Sequence, residues 1–141
     1  MNDIEVTKYL SVRSKTTILS SSLYFFKETF KKSILLSLYF NKSHIGNCGF
    51  FNLNNDESSY ELRILIGEKK FWGMGLGKKA VILMLDYLKN NSNYIHFVWL
   101  NVSVNNLAAN KLYSSVGFQL SDEKYKTIDG QIQNKMKYYF K

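Results

Sequence analysis

The chain has 141 residues, 45% of them hydrophobic and 16% aromatic, which is enough to bury one core and too little for a tandem, so a single domain spanning 1–141 is expected. Its 19 basic and 11 acidic residues give a net charge of +8, which suits an anionic partner without choosing among nucleic acid, a membrane surface and a small ligand. Cys48 is the only cysteine, which excludes an internal disulfide and a cysteine-rich metal site and fits a reducing cytoplasm; with no secretion signal and no bilayer-length apolar run, no membrane association is expected.

In chain order, residues 16–32 set Ile18, Leu19, Ser22, Leu23, Phe26 and Phe30 at helical intervals and predict an amphipathic helix. Three strand-like runs follow, Ser33 to Phe40, Ile45 to Leu53 and Ser59 to Ile66, divided by Asn-Lys-Ser and by Asn54-Asn55-Asp56, and they predict an antiparallel meander. From Gly75 a helix runs to Asn90-Asn91, with Leu76, Ala80, Leu83, Met84, Tyr87 and Leu88 as its expected apolar face. A buried strand from Ile95 to Val104 comes next. Asn105 or Asn106 caps a further helix that Gly117 ends, and Phe118 to Tyr125 with Gln131 to Phe140 form a hairpin through Asp129-Gly130. The fold class expected is α+β: a mixed sheet, mostly antiparallel, in which a βαβ unit around the glycine turn makes one central pair of strands near-parallel.

The segment Phe71-Trp72-Gly73-Met74-Gly75-Leu76-Gly77-Lys78-Lys79 ends a strand region in a glycine turn and opens a helix whose first turn carries lysines instead of acids. Lysines oppose the partial positive charge of a helix N-terminus, so their placement becomes intelligible if an anion sits there, held by free backbone N–H groups. The turn is neither a Walker loop, which ends in Gly-Lys-Ser/Thr, nor a dinucleotide fingerprint; the plain alternative is an ordinary strand-to-helix turn. His44, His96 and Cys48 lack ligand spacing, so no metal is expected. No Gly-x-Ser-x-Gly elbow is present and Cys48 sits in a strand-like run, so no nucleophile for a covalent enzyme intermediate is expected.

Downstream stands Asn106-Leu107-Ala108-Ala109-Asn110-Lys111-Leu112-Tyr113, followed by Ser114-Ser115-Val116-Gly117-Phe118. Asn106 and Tyr113 are two helical turns apart and share a face, with the small Ala109 between them. Taken alone, Asn106 is better read as a helix cap and Tyr113 as a core aromatic. The glycine helix start followed some thirty residues later by Asn-x-x-Ala-x-x-Leu-Tyr-x-x-x-Gly-Phe resembles the GNAT superfamily of N-acetyltransferases, and Trp72 in the turn resembles its branch with ribosomal-protein, polyamine and amino-sugar enzymes.

That resemblance implies acetyl-CoA as co-substrate and acetyl transfer to an amine. It implies that backbone amides of Trp72, Gly73, Met74, Gly75, Leu76, Gly77 and Lys78 hold the CoA pyrophosphate, that Leu65, Ile66 and Gly67 lie along the pantetheine and offer an N–H to the thioester carbonyl, and that Asn106 contacts the pantetheine arm or nearby backbone. The resemblance further implies that Tyr113 protonates the departing thiolate, a role open to a phenol. Glu61 matches the strand glutamate that deprotonates the amine, often through water; its alternative is an ion pair with Arg63 on the same strand face. Trp72 replaces a common Arg or Gln, and the Pro often found before the Asn motif is replaced by Val104 or Asn105. The start, Met1 to Leu10, resembles the middle of the family's first helical region, which implies a missing first strand or one supplied by a partner chain, as in a homodimer.

Ile45-Gly46-Asn47, Leu65 to Lys69 and Asp129-Gly130-Gln131 resemble the subgroup acting on amino groups of nucleotide-linked sugars, while polyamine and protein N-terminal acetylation share much of the pattern. The charge of +8 favours the anionic acceptor, a sugar nucleotide. A non-catalytic module that binds CoA or nucleic acid is the rival class; aromatics at core-periodic positions weigh against nucleic acid.

Overall fold

The computed structural model describes residues 33–52 and 58–141; the helix predicted over 16–32, the Met1–Leu10 start and Leu53 lie outside them. Six strands form one sheet: β1 (Ile34–Phe40), β2 (Ser43–Phe51), β3 (Ser59–Ile66), β4 (Phe97–Ser103), β5 (Gln119–Lys126) and β6 (Ile132–Tyr139), in the order β1-β2-β3-β4-β6-β5. Among the described residues two helices, α1 (Leu76–Asn91) and α2 (Leu107–Val116), flank β4 in sequence, and a short 3-10 turn, Lys69–Phe71, precedes α1. The mixed α+β sheet expected from the sequence is present, antiparallel throughout except for the β3–β4 pair.

β1 and β2 are joined by Asn41-Lys42, both with positive φ (46° and 66°), the backbone of a tight two-residue hairpin that matches strand twist. An extra residue, Ile45, then bulges from β2, because Leu38 faces Gly46 while Tyr39 faces His44. Gly46 is obligatory there: a Cβ on it would lie 2.0 Å from the Leu65 carbonyl oxygen.

One sheet face carries Cys48, Phe50, Leu62, Val98, Leu100, Val102 and Met136 and buries them against both helices. The α1 residues that reach this core are Val81, Met84, Leu85 and Leu88, whereas Leu83 is 68% and Tyr87 44% exposed. The face expected from sequence is therefore rotated. Apolar side chains surround most of the α1 circumference, so helical spacing admits both stripes and packing chooses one. The opposite sheet face holds Glu61, Arg63, Trp99, Asn101, Lys135 and Lys137, as the strand alternation and cross-strand pairing require.

Candidate active site

The parallel β3–β4 contact is short. Ser59, Tyr60 and Glu61 pair with Phe97, Val98 and Trp99, and no pairing continues beyond them, although β3 stays paired with β2 as far as Ile66 and β4 with β6 as far as Ser103. The two strands thus part at their carboxyl ends, where ligands of such sheets bind. The Gly67 N–H donates to the Ile45 carbonyl at 2.9 Å. Antiparallel alternation then turns the peptide groups of Leu65 toward β2 and those of Ile64 and Ile66 away from it, into the opening. Of the residues expected to face the thioester, Ile66 is the one so oriented; the Gly67 amide is already committed.

The turn after β3 is tied back to it by the Trp72 indole, whose Nε1–H donates to the Ile66 carbonyl at 3.0 Å. The Trp72 amide itself donates to the Lys69 carbonyl at 2.9 Å, which removes it from the set of free donors expected for pyrophosphate. Gly73 and Gly75 both adopt φ of 74°, a left-handed backbone, and Gly75 caps α1. The first helical bond is Lys79 N–H to the Gly75 carbonyl, at 3.1 Å. Among the described residues, the N–H groups of Gly73, Met74, Gly75, Leu76, Gly77 and Lys78 donate to no backbone carbonyl. The first turn of α1 carries no acid, and Lys78 and Lys79 are exposed there, so the turn has the charge and the uncommitted N–H groups that an anion site requires.

Gly77 shows how the segments meet. A Cβ at this position would lie 3.1 Å from Leu112 Cδ1 of α2 and 3.9 Å from Ile66 Cδ1 of β3. The glycine turn, the end of β3 and the Asn-to-Tyr helix are therefore packed around one point, although they are far apart in sequence.

In α2, Asn106 is the N-cap: its Oδ1 accepts the Ala109 N–H at 3.1 Å. The cap uses the amide oxygen, so a ligand contact from this side chain would come from its nitrogen. Gly117, at φ 114°, ends the helix, its N–H and that of Phe118 returning to the Ser114 and Tyr113 carbonyls. Tyr113 packs edge-on against Phe118, ring centroids 5.7 Å apart, and Phe118 leans in turn on Tyr138. Burial pushes the Tyr113 phenol up to about 12, so it carries its proton throughout the neutral range. Burial also lifts the Cys48 thiol to about 11, consistent with a packed strand residue and not a nucleophile.

Glu61 is buried on the far sheet face and accepts a hydrogen bond from Arg63 Nη2 at 2.7 Å, with the guanidinium 4.5 Å above the Phe51 ring. The ion pair weighed against catalysis is thus formed, and it holds the carboxylate beside the opening. Two residues escaped sequence reasoning. Asn110 Nδ2 donates to the Ser103 and Asn106 carbonyls, both at 2.8 Å, and clamps α2 to the end of β4; its spacing of one turn after Asn106 was the available signal. Asn101, on β4 past the last β3–β4 pair, has a buried Oδ1 without a hydrogen-bond partner, which no pattern of residues announces.

Among the described residues, no group of three or more His, Cys, Asp or Glu could hold a metal ion, and no helix is long and apolar enough to cross a membrane. A profile described as an acetyltransferase (GNAT) domain matches residues 1–119. The chain belongs to the GNAT acetyltransferase family.

As a GNAT protein it is an acetyl-CoA-dependent N-acetyltransferase, with acetyl-CoA as co-substrate. Solved structures share the fold. Spermidine N-acetyltransferase from Vibrio cholerae, in complex with CoA and spermine, superposes at TM-score 0.83 with 22% identity, over 98% of this chain and 84% of that one. Ribosomal-protein-alanine N-acetyltransferase from Brucella melitensis gives 0.79 and 15%, over 99% and 89% of the two chains. The microcin C7 self-immunity acetyltransferase MccE, in complex with acetyl-CoA and AMP, gives 0.80 and 18%, over 97% and 80%. No curated protein sequence matches the chain significantly.

Proposed function

We propose that this GNAT acetyltransferase transfers acetyl to the primary amine of an anionic small molecule of the nucleotide-linked amino-sugar class, in a reducing cytoplasm, by direct attack in a ternary complex. The observation that carries the reading is the meeting of three segments at Gly77: free turn amides, outward-facing peptide groups at the end of β3, and the helix of Tyr113.

In this scheme Gly73 to Lys78 bind the pyrophosphate and the Ile66 N–H polarises the thioester carbonyl. The amine nitrogen attacks that carbon from the sheet face of Glu61, a C–N bond forms, and the C–S bond breaks. Glu61, directly or through water, takes the amine proton. Tyr113 faces the thiolate as donor, so the proton lost by the amine is balanced by one gained by CoA sulfur. A phenol at about 12 is a weaker acid than a free thiol, whose reference is about 8.5. Tyr113 therefore acts chiefly by hydrogen bonding to the developing charge, with solvent completing the transfer.

Charge supports the choice of acceptor. On the Glu61 face the described residues gather Arg63, Lys135 and Lys137, with Glu61 pairing Arg63 and Glu123 pairing both lysines. A polycation would meet repulsion there, and an anion would not. The test is CoA release measured over a panel of a nucleoside-diphosphate amino sugar, spermine and an alanine-initial peptide. The expected result is highest kcat/KM with the sugar nucleotide; a clear preference for spermine or the peptide would replace the acceptor class. Failure of acetyl-CoA to raise Tm would overturn the site.

A further inference from the structure

We propose that the side-chain amide of Asn101 is the contact that holds the attacking amine; this rests on the acetyl-transfer reading above. Asn101 lies two residues past Trp99, the last β4 residue paired with β3, at the first position on the Glu61 face where the strands have parted. Its Oδ1 is buried and accepts no hydrogen bond. A carboxamide oxygen has two lone pairs, and leaving it undonated away from water is unfavourable enough that such atoms call for an explanation.

The donors one would look to are already engaged. Lys135, directly across from Asn101 in β6, points its ammonium to Glu123 Oε2 at 2.7 Å and over the Trp99 ring at 4.8 Å. Arg63, the β3 residue that would face Asn101 if pairing continued, is held by Glu61 at 2.7 Å. The oxygen is therefore left unmet by the donors around it, on the sheet face of Glu61 and two β4 positions beyond its partner Trp99. A primary amine supplies that N–H, and a neutral carboxamide accepts it whether or not the amine is protonated. Such a bond fixes the nitrogen on the thioester side of the opening and leaves its proton transfer to Glu61.

The test uses steady-state kinetics of the full chain, with propylamine as the minimal primary amine alongside the acceptor panel, and with Tm and acetyl-CoA KM read in parallel. Asn101→Ala should lower kcat/KM for every amine by about tenfold or more, as for loss of a hydrogen bond to a charged or polarised group. It should leave acetyl-CoA KM unchanged, and it should not lower Tm, because Oδ1 contributes no internal hydrogen bond. Asn101→Asp, which keeps the acceptor oxygen, should recover most of the loss. Activity of Asn101→Ala within twofold of the parent would overturn the role, as would a fall in Tm matching the fall in activity. Absence of acetyl-CoA binding or of any amine turnover in the parent would instead defeat the underlying acetyl-transfer reading, and the role of Asn101 with it.

Discussion

A phenol that keeps its proton to about pH 12 is always charged with a donor, and this shapes what Tyr113 can contribute. Tyr113→Phe should lower kcat by about 10²-fold with acetyl-CoA affinity nearly unchanged, since the interaction lost is made only as the thiolate develops. Raised pKa also fixes a sign: the acidic form is present below the shifted value and lost only as pH rises through it. The kcat/KM profile should therefore show no alkaline fall from Tyr113 below about pH 11, and the Phe variant should keep the parental shape; a limb near pH 9 to 10 abolished by the substitution would contradict the buried phenol. Glu61 divides differently. As a base, its replacement in Glu61→Gln costs about 10²-fold or more in turnover; as a structural pair only, it would lower Tm and spare kcat. Steady-state rates and melting curves on the same variant separate the two. The faces on which Tyr113 and Glu61 lie were legible in sequence, because spacing reports which residues share a helix or strand face, while the roles proposed for them come from the family resemblance. Asn101 was not, because an unpaired buried oxygen is a property of tertiary packing.

At the level of elements, close approach governs the site. A methyl at Gly46 would collide with the backbone oxygen of Leu65, 2.0 Å away, and backbone cannot rotate aside as a side chain can. Gly46→Ala should cost about 1–3 kcal/mol or more and pull β3 from β2, weakening acetyl-CoA binding with stability; a variant with parental Tm would mean that the strands can shift freely. Gly77 shows the limit of motif reading. Sequence assigned it to the anion cradle, and the structure adds that it lets α1 close on Leu112 and Ile66. Strand and helix positions emerged from period and turn residues to within about two residues, the usual fraying of element ends. The inner face of α1 did not, since apolar residues surround that helix. Insertion of β6 between β4 and β5 was also hidden, because strand order depends on contacts between segments distant in sequence.

At the scale of the whole molecule, net charge is +8, and among the described residues Glu123 is the carboxylate that binds two lysines at once. The β5–β6 register breaks between Leu120 and Lys124, and within that break Glu123 reaches Lys135 at 2.7 Å and Lys137 at 2.8 Å. Those two ammonium groups lower its carboxyl from 4.5 to about 2. A depressed carboxylate stabilises the fold above its unfolded value, and that contribution fades as pH falls through the folded value. Tm should therefore decline between about pH 4.5 and 2, and Glu123→Gln should flatten the decline and lower Tm at neutral pH. Because the carboxylate is solvent-exposed, molar salt should shrink the difference between the two proteins. The same substitution removes the carboxylate that binds both Lys135 and Lys137, so on the acceptor reading proposed above it should raise kcat/KM for an anionic acceptor relative to spermine. Melting curves against pH at low and high salt, with the acceptor ratio measured on the same variant, check both effects. An unchanged ratio would mean that these lysines lie outside the acceptor's path.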